Sequence, residues 1–304
     1  MRSQIVPPGI GATEVEKRYI RRVQKNINTL FEMTAKELKN RSVNYRKKIL
    51  QYIVGANAGH TGGSLSCIDI LNVLYNHVLN VSPANFSSPD RDRYIQSKGH
   101  TVEALYVVLS DKGFFPEQDL ETLCRYQSNY IGHPTKKVNG VEQNTGALGH
   151  GLPMAVGNAL AAKMDDRDFR VFTLLGDGEL PEGSNWEAFL TGSHYKLDNL
   201  CAILDYNKLQ ISGTTAEVCN TEPIDAKLES FGWSVKHVDG HDIEALISTF
   251  DALPFEAGKP SFIIAHTVKG KGVSYMEHHV KWHHGVPNEQ QYQQALEELD
   301  SVTI

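Results

Sequence analysis

Two polar residues end two apolar runs at a spacing that could hold a metal ion. Val171 to Leu175 is apolar and rich in β-branched and large aliphatic residues. It stops at Gly176-Asp177-Gly178, a turn too tight for bulky side chains that leaves one carboxylate facing outward. A helical stretch over about 182–194 follows, with Trp186, Phe189 and Leu190 on one side. A second apolar run, Leu200 to Leu204, then leads into Asp205-Tyr206-Asn207, so Asn207 comes about thirty residues after Asp177. Strand, crossover helix and strand predict parallel neighbours about 4.8 Å apart, with both polar residues at the carboxyl edge where open α/β sheets bind ligands. A carboxylate, an amide oxygen and a nearby main-chain carbonyl are hard donors. They suit Mg2+ or Ca2+ with positions left for water and a diphosphate.

Other residues of chemical interest are histidines in glycine-rich settings: Gly59-His60, Gly99-His100, Gly132-His133 and His283-His284-Gly285. Glycine lets the backbone approach a ligand, and an imidazole gives or takes a proton near neutral pH. Asn144-Thr145-Gly146-Ala147-Leu148-Gly149-His150 precedes a helix over 152–163 whose small residues allow close packing. Lys269-Gly270-Lys271-Gly272 is a basic loop that could touch a phosphate or remain solvated. Glu182, in the first turn of the helix after the carboxylate, is favoured there by the helix dipole alone.

Together these motifs resemble the transketolase family. Gly176-Asp177-Gly178 followed by Asn207 is similar to the thiamine diphosphate signature, and residues 40–290 are similar to the amino-terminal half of a transketolase. The resemblance implies that Asp177, Asn207 and the carbonyl of Leu209 hold a divalent cation that bridges to thiamine diphosphate. It implies that Gly146, Leu148, Gly178 and His100 line the cofactor, and that His60, His133 and His284 serve the substrate, with His283 a near-equal rival of His284. It also implies that Glu182 belongs to a carboxylate network between paired active sites. The chain departs from the family at Thr61 and Ala147, where proline is common, and at His150, where glutamine is common. The implied reaction moves a two-carbon ketol unit from a ketose, phosphorylated or phosphate-like, to an aldose.

The chain ends at Ile304, where the family begins a pyrimidine-binding domain. The expectation is one subunit of a split enzyme, active in an α2β2 assembly with a partner carrying that second half. Two alternatives are a subunit of another thiamine diphosphate enzyme, such as a 2-oxo acid decarboxylase or dehydrogenase, and a non-catalytic transketolase-like protein. The Gly-His pairs argue against the first, and the intact Asp177 and Asn207 against the second.

The elements that must position these groups alternate between strand and helix, which predicts a doubly wound parallel sheet with helices on both faces. Residues 1–39 are expected to form an arm and a basic amphipathic helix starting near Thr13, suited to packing on a partner, and 40–304 the diphosphate-binding domain. Further helices are expected over about 38–55, 68–78, 102–109, 113–130, 242–250 and 288–300. The 304 residues are 40% hydrophobic and 22% charged, as in ordinary globular proteins. A net charge of −6 gives no reason to expect nucleic-acid or membrane binding. No apolar run approaches the roughly 18 residues of a bilayer span. The amino terminus lacks the apolar core of a signal peptide, and four scattered cysteines without a C-x-x-C pair fit a reduced, cytoplasmic protein.

Overall fold

A computed structural model describes residues 33–302. The amphipathic helix expected from Thr13 lies outside the described residues. In chain order the elements are α1 (Ala35–Ala56), α2 (Thr61–Val73), β1 (Arg93–Gln96), α3 (Val102–Asp111), α4 (Gly151–Met164), β2 (Val171–Gly176), α5 (Gly183–His194), β3 (Leu200–Tyr206), α6 (Thr215–Val218), α7 (Ile224–Ser230), β4 (Ser234–Asp239), α8 (Ile243–Asp251), β5 (Ser261–His266) and α9 (Glu289–Asp300).

All five strands are parallel, in the order β1-β2-β3-β5-β4. The central strands are buried on both faces, which explains why they read as continuous apolar runs instead of alternating ones. Val171 and Leu175 of β2, with Ala202 and Leu204 of β3 and Phe262 and Ile264 of β5, pack against α4, α5 and α7. Phe172 points the other way and meets Phe250 of α8 edge to face, with ring centroids 6.4 Å apart. The sheet is therefore covered on both faces, as the alternating pattern required.

Two expected helices differ. The segment 113–130 forms only a short turn at Glu117–Thr122. Cys124 and Gln127 then take positive φ, which no helix continues through, and the acidic, Pro-led stretch has too few apolar residues to bury a helical face. In the other, α2 starts at Thr61, seven residues before the expected start at Ile68. Gly62, Gly63 and Ser64 are its first turn, because the tight space beside it demands small residues: a β-carbon on Gly62 would lie 2.8 Å from the Trp282 carbonyl oxygen.

Candidate active site

The register of β2 and β3 pairs Gly176 with Asp205, so the residues just beyond, Asp177 and Asn207, leave the sheet side by side at its carboxyl edge. There they line a cavity of about 350 Å³ together with Leu209, Gly178, Gly146, Leu148, His60 and His100. The turn after β3 is tied back to the turn after β2. The Lys208 N–H donates to Asp177 Oδ2, the Gly178 N–H donates to Asp177 Oδ1 at 2.8 Å, and the Leu209 N–H donates to Asn207 Oδ1 at 3.2 Å. Asp177 is 3% exposed, and burial and then the charge of Asp205 push its carboxyl up to about 6. An anion so poorly compensated suits a cation beside it.

The histidines converge. His60 has its ring centroid 5.2 Å from that of His100, 6.1 Å from His133, 5.5 Å from His283 and 4.7 Å from His284. Of the two candidates before Gly285, His283 lines the cavity, stacks on His100 at 5.2 Å and receives Lys269 Nζ at 3.2 Å. His284 packs on His60 and is not among the residues lining the cavity. His133 also lies outside the lining, its ring against Gly146. Burial, then the charges of neighbouring histidines and lysines, lowers His60 to about 4; burial, then Lys269, lowers His283 to about 3. His100 is held well below the usual range by burial and Lys98, and burial lowers His133. Neutral imidazoles can each donate and accept a hydrogen bond to a hydroxyl.

Glu182 does not join this group. It is exposed at the start of α5, its side-chain stem against Gly149, and it makes no capping bond. His150 is exposed and returns its Nδ1 to the Leu148 carbonyl at 3.1 Å.

Three buried charges at the cavity, Lys98, Asp205 and Glu179, were not singled out from the sequence. Lys98, 2% exposed, is ion-paired with Asp205, which is fully buried. Burial alone would drive Asp205 up and Lys98 down; each overrides this for the other, so Asp205 stays below and Lys98 above its ordinary value. Ser66 and Thr267 donate to the same carboxylate, and Asn207 Nδ2 approaches it at 3.4 Å, so the pair anchors the turn that carries Asn207. Glu179, 1% exposed, accepts the Gly149 N–H at 2.9 Å, the Gly176 N–H at 3.1 Å and the Ser97 hydroxyl, joining three cavity loops. Lys269 turns inward and donates to the Leu209 carbonyl at 3.0 Å, while Lys271, nearest Glu277 at 3.8 Å, stays partly exposed. A lysine beside Gly99 and an aspartate closing an apolar strand were visible in the sequence; their pairing across two strands was not.

Replacing Lys98 by methionine strands Asp205 without its partner. Urea unfolding is expected to show a loss of about 3–5 kcal/mol. Gly146 has φ of +138°, and a β-carbon there would lie 2.6 Å from the His133 ring. Gly146→Ala therefore displaces both the cavity wall and His133, and a cofactor titration should show affinity down by about tenfold or more for a shift near 1 Å.

Comparison with known proteins bears directly on this cavity. The family described as transketolase, thiamine diphosphate binding domain, matches residues 39–299. The chain belongs to the transketolase family. It is 48% identical over 267 residues to an apulose-4-phosphate transketolase subunit of Phocaeicola vulgatus, covering 88% of this chain and 95% of that one. It is 40% identical over 256 residues to the 6-deoxy-6-sulfo-D-fructose transketolase subunit SqwG of a Clostridium species, covering 84% and 93%. Among solved structures, the transketolase of Campylobacter jejuni superposes with a TM-score of 0.81 at 32% identity. That match covers 86% of this chain and 43% of the other, so this chain spans less than half the length of that transketolase. As a transketolase-family chain it is a transferase component whose cavity lies in a thiamine diphosphate-binding domain.

The residues fit that cofactor and a divalent ion. Asp177, Asn207 Oδ1 and the Leu209 carbonyl form an all-oxygen set. Around them are buried polar atoms without a protein partner: His60 Nδ1, Thr145 Oγ1 and Gln210 Nε2. Gly178 gives the backbone room, since a β-carbon there would meet Gln210 at 2.9 Å. Lys98, Lys269 and the start of α3 just after His100 supply positive potential for a diphosphate.

Proposed function

We propose that this chain is the amino-terminal subunit of a thiamine diphosphate- and Mg2+-dependent transketolase. It moves a two-carbon ketol group from a ketose to an aldose, and acts only with a partner that carries the pyrimidine-binding half, in an α2β2 assembly. The observation that carries this reading is the cavity, where an oxygen ligand set, buried lysines and a ring of neutral histidines meet at one sheet edge. Relatives named as transketolase subunits, matched over 95% and 98% of their lengths, support the division between two chains. Ca2+ fits the same donors as Mg2+.

Bound here, thiamine diphosphate would supply the nucleophilic and electron-storing chemistry that cleavage of a ketose carbon–carbon bond requires. This chain's residues do the rest of the holding. Asp177, Asn207 and Leu209 keep the cation; Gly146, Leu148, Gly178 and His100 shape the cofactor wall. His60 and His283, both lining the cavity, hydrogen-bond the sugar hydroxyls as neutral imidazoles and orient them, with His133 and His284 packed against His60 to fix its ring. Glu182, exposed on α5, is available to the carboxylate network of a neighbouring subunit. The names of the relatives, one a sugar phosphate and one a sulfosugar enzyme, support a donor with an anionic group. The four scattered cysteines suit a reducing cytoplasm. Among the described residues no helix is long and apolar enough to cross a membrane.

Assaying the chain with thiamine diphosphate, Mg2+ and a panel of phosphorylated and sulfonated ketoses, alone and with the partner, tests this. Full turnover by the chain alone ends the reading.

A further inference from the structure

One buried carboxylate bonded to the backbone of His60 is unused by this scheme. Glu103 sits in the first turn of α3, three residues after His100, and is 1% exposed. Its Oε1 accepts the backbone N–H of His60 at 3.2 Å, and its Oε2 accepts the Ser64 hydroxyl at 2.9 Å. It thus bridges the residue that precedes α2 to the first turn of that helix. His60 occupies the N-cap position of α2 but makes no side-chain cap of its own, so the cap comes from a different helix. The contact is close-fitted, because a β-carbon on Gly59 would lie 2.8 Å from Glu103 Oε1.

We propose that Glu103 is the positioning residue of His60: its carboxylate grips the His60 N–H and the Ser64 hydroxyl together, and gaining a proton slackens that grip. The proposal rests on the role given above to His60 in turnover. A carboxylate accepts two hydrogen bonds strengthened by its charge, whereas the acid form turns one oxygen into a donor and leaves only neutral bonds. The ionisable groups that face Glu103 are Tyr106 on its own helix, Cys124 in the following loop and His60. None is a cation at neutral pH: Tyr106 and Cys124 are raised and His60 is lowered. Burial therefore acts on Glu103 without an opposing positive charge and pushes it up to about 7, against hydrogen bonds from Ser64 and His60 that pull it down. In the folded chain it holds its proton between the ordinary glutamate range and about pH 7, and ionises above. The grip on His60 therefore tightens as pH rises through neutrality.

The experiment compares wild type with Glu103→Gln, which keeps the shape and an acceptor for the His60 N–H but does not titrate. In the enzyme assembled with its partner, wild-type kcat is expected to rise through a limb near pH 7. In Glu103→Gln that limb is absent and kcat above it is lower by roughly five- to tenfold, the difference between a charge-assisted and a neutral hydrogen bond. Hydrogen exchange of the folded chain over residues 57–64 supplies a readout independent of turnover. After correction for intrinsic rates, protection rises across pH 7 in wild type and is flat in Glu103→Gln. A variant that keeps both the wild-type pH limb and the wild-type exchange profile overturns the proposal. If no partner confers turnover on wild type, the functional reading fails, and the exchange result alone decides the role of Glu103.

Discussion

Asp177→Ala is expected to abolish Mg2+-dependent binding of thiamine diphosphate, with affinity falling by more than about 100-fold because a charged ligand is lost outright where outer-shell changes alone cost 10–100-fold. Asp177 lies in a cavity with only two backbone N–H groups donating to it, and burial and Asp205 hold its carboxyl up at about 6. Without a bound cation the anion is a cost to the fold, so the alanine variant without ligand should melt no lower than wild type. A merely structural aspartate would predict the opposite. With cofactor and Mg2+ each at saturation, wild type gains stability, about 2.7 kcal/mol at 100 times the dissociation constant, and the variant gains none. Calorimetric titration and paired thermal melts, with and without EDTA, give the result. Unchanged Mg2+-dependent binding in the variant would remove Asp177, and with it the cation site, from the proposal.

The chain alone is expected to bind cofactor and Mg2+ yet turn over no ketose, while mixing with the partner restores activity. The physical reason is that, in the proposed function, the groups gathered in the cavity only hold a diphosphate and touch sugar hydroxyls. In the reading above, activation of the aminopyrimidine comes from the partner. A missing acid–base group alone costs about 10²–10⁴ in rate, and misplacement of the cofactor's reactive carbon adds to that. The expected rate of the isolated chain is therefore at least about four orders of magnitude below that of the pair. Stopped assays with both phosphorylated and sulfonated donors, at fixed cofactor saturation, separate failed chemistry from failed binding.

How much of this was legible beforehand follows from what each signal depends on. The βαβ unit from Val171 to Asn207 was readable because strands buried on both faces leave unbroken apolar runs, and Gly176 marks the end of the first. The expected spans of α4, α5, α8 and α9 agree to within a residue, and α8 and α9 start where Asp242 and Asn288 cap neighbouring amides. The segment 113–130 misled because helical propensity says nothing about whether a face will be buried.

The candidate site divides in the same way. Asp177, Asn207 and the glycine-flanked histidines announce themselves by local composition, and the sequence alone determined that Asp177 and Asn207 sit at strand ends facing a common edge. It could not choose between His283 and His284, because one residue of shift around a turn decides which ring enters the cavity, and that is set by packing against His100 and Lys269. Nor could it pair Lys98 with Asp205, bring Glu179 to three loops or place Glu103 beneath His60, since these contacts span 107, up to 82 and 43 positions. Buried charges find partners through space, and only the folded sheet with its two helical layers supplies that proximity. What began as a carboxylate and an amide at a sheet edge is, in the folded chain, the outer rim of a buried charge network that holds them in place.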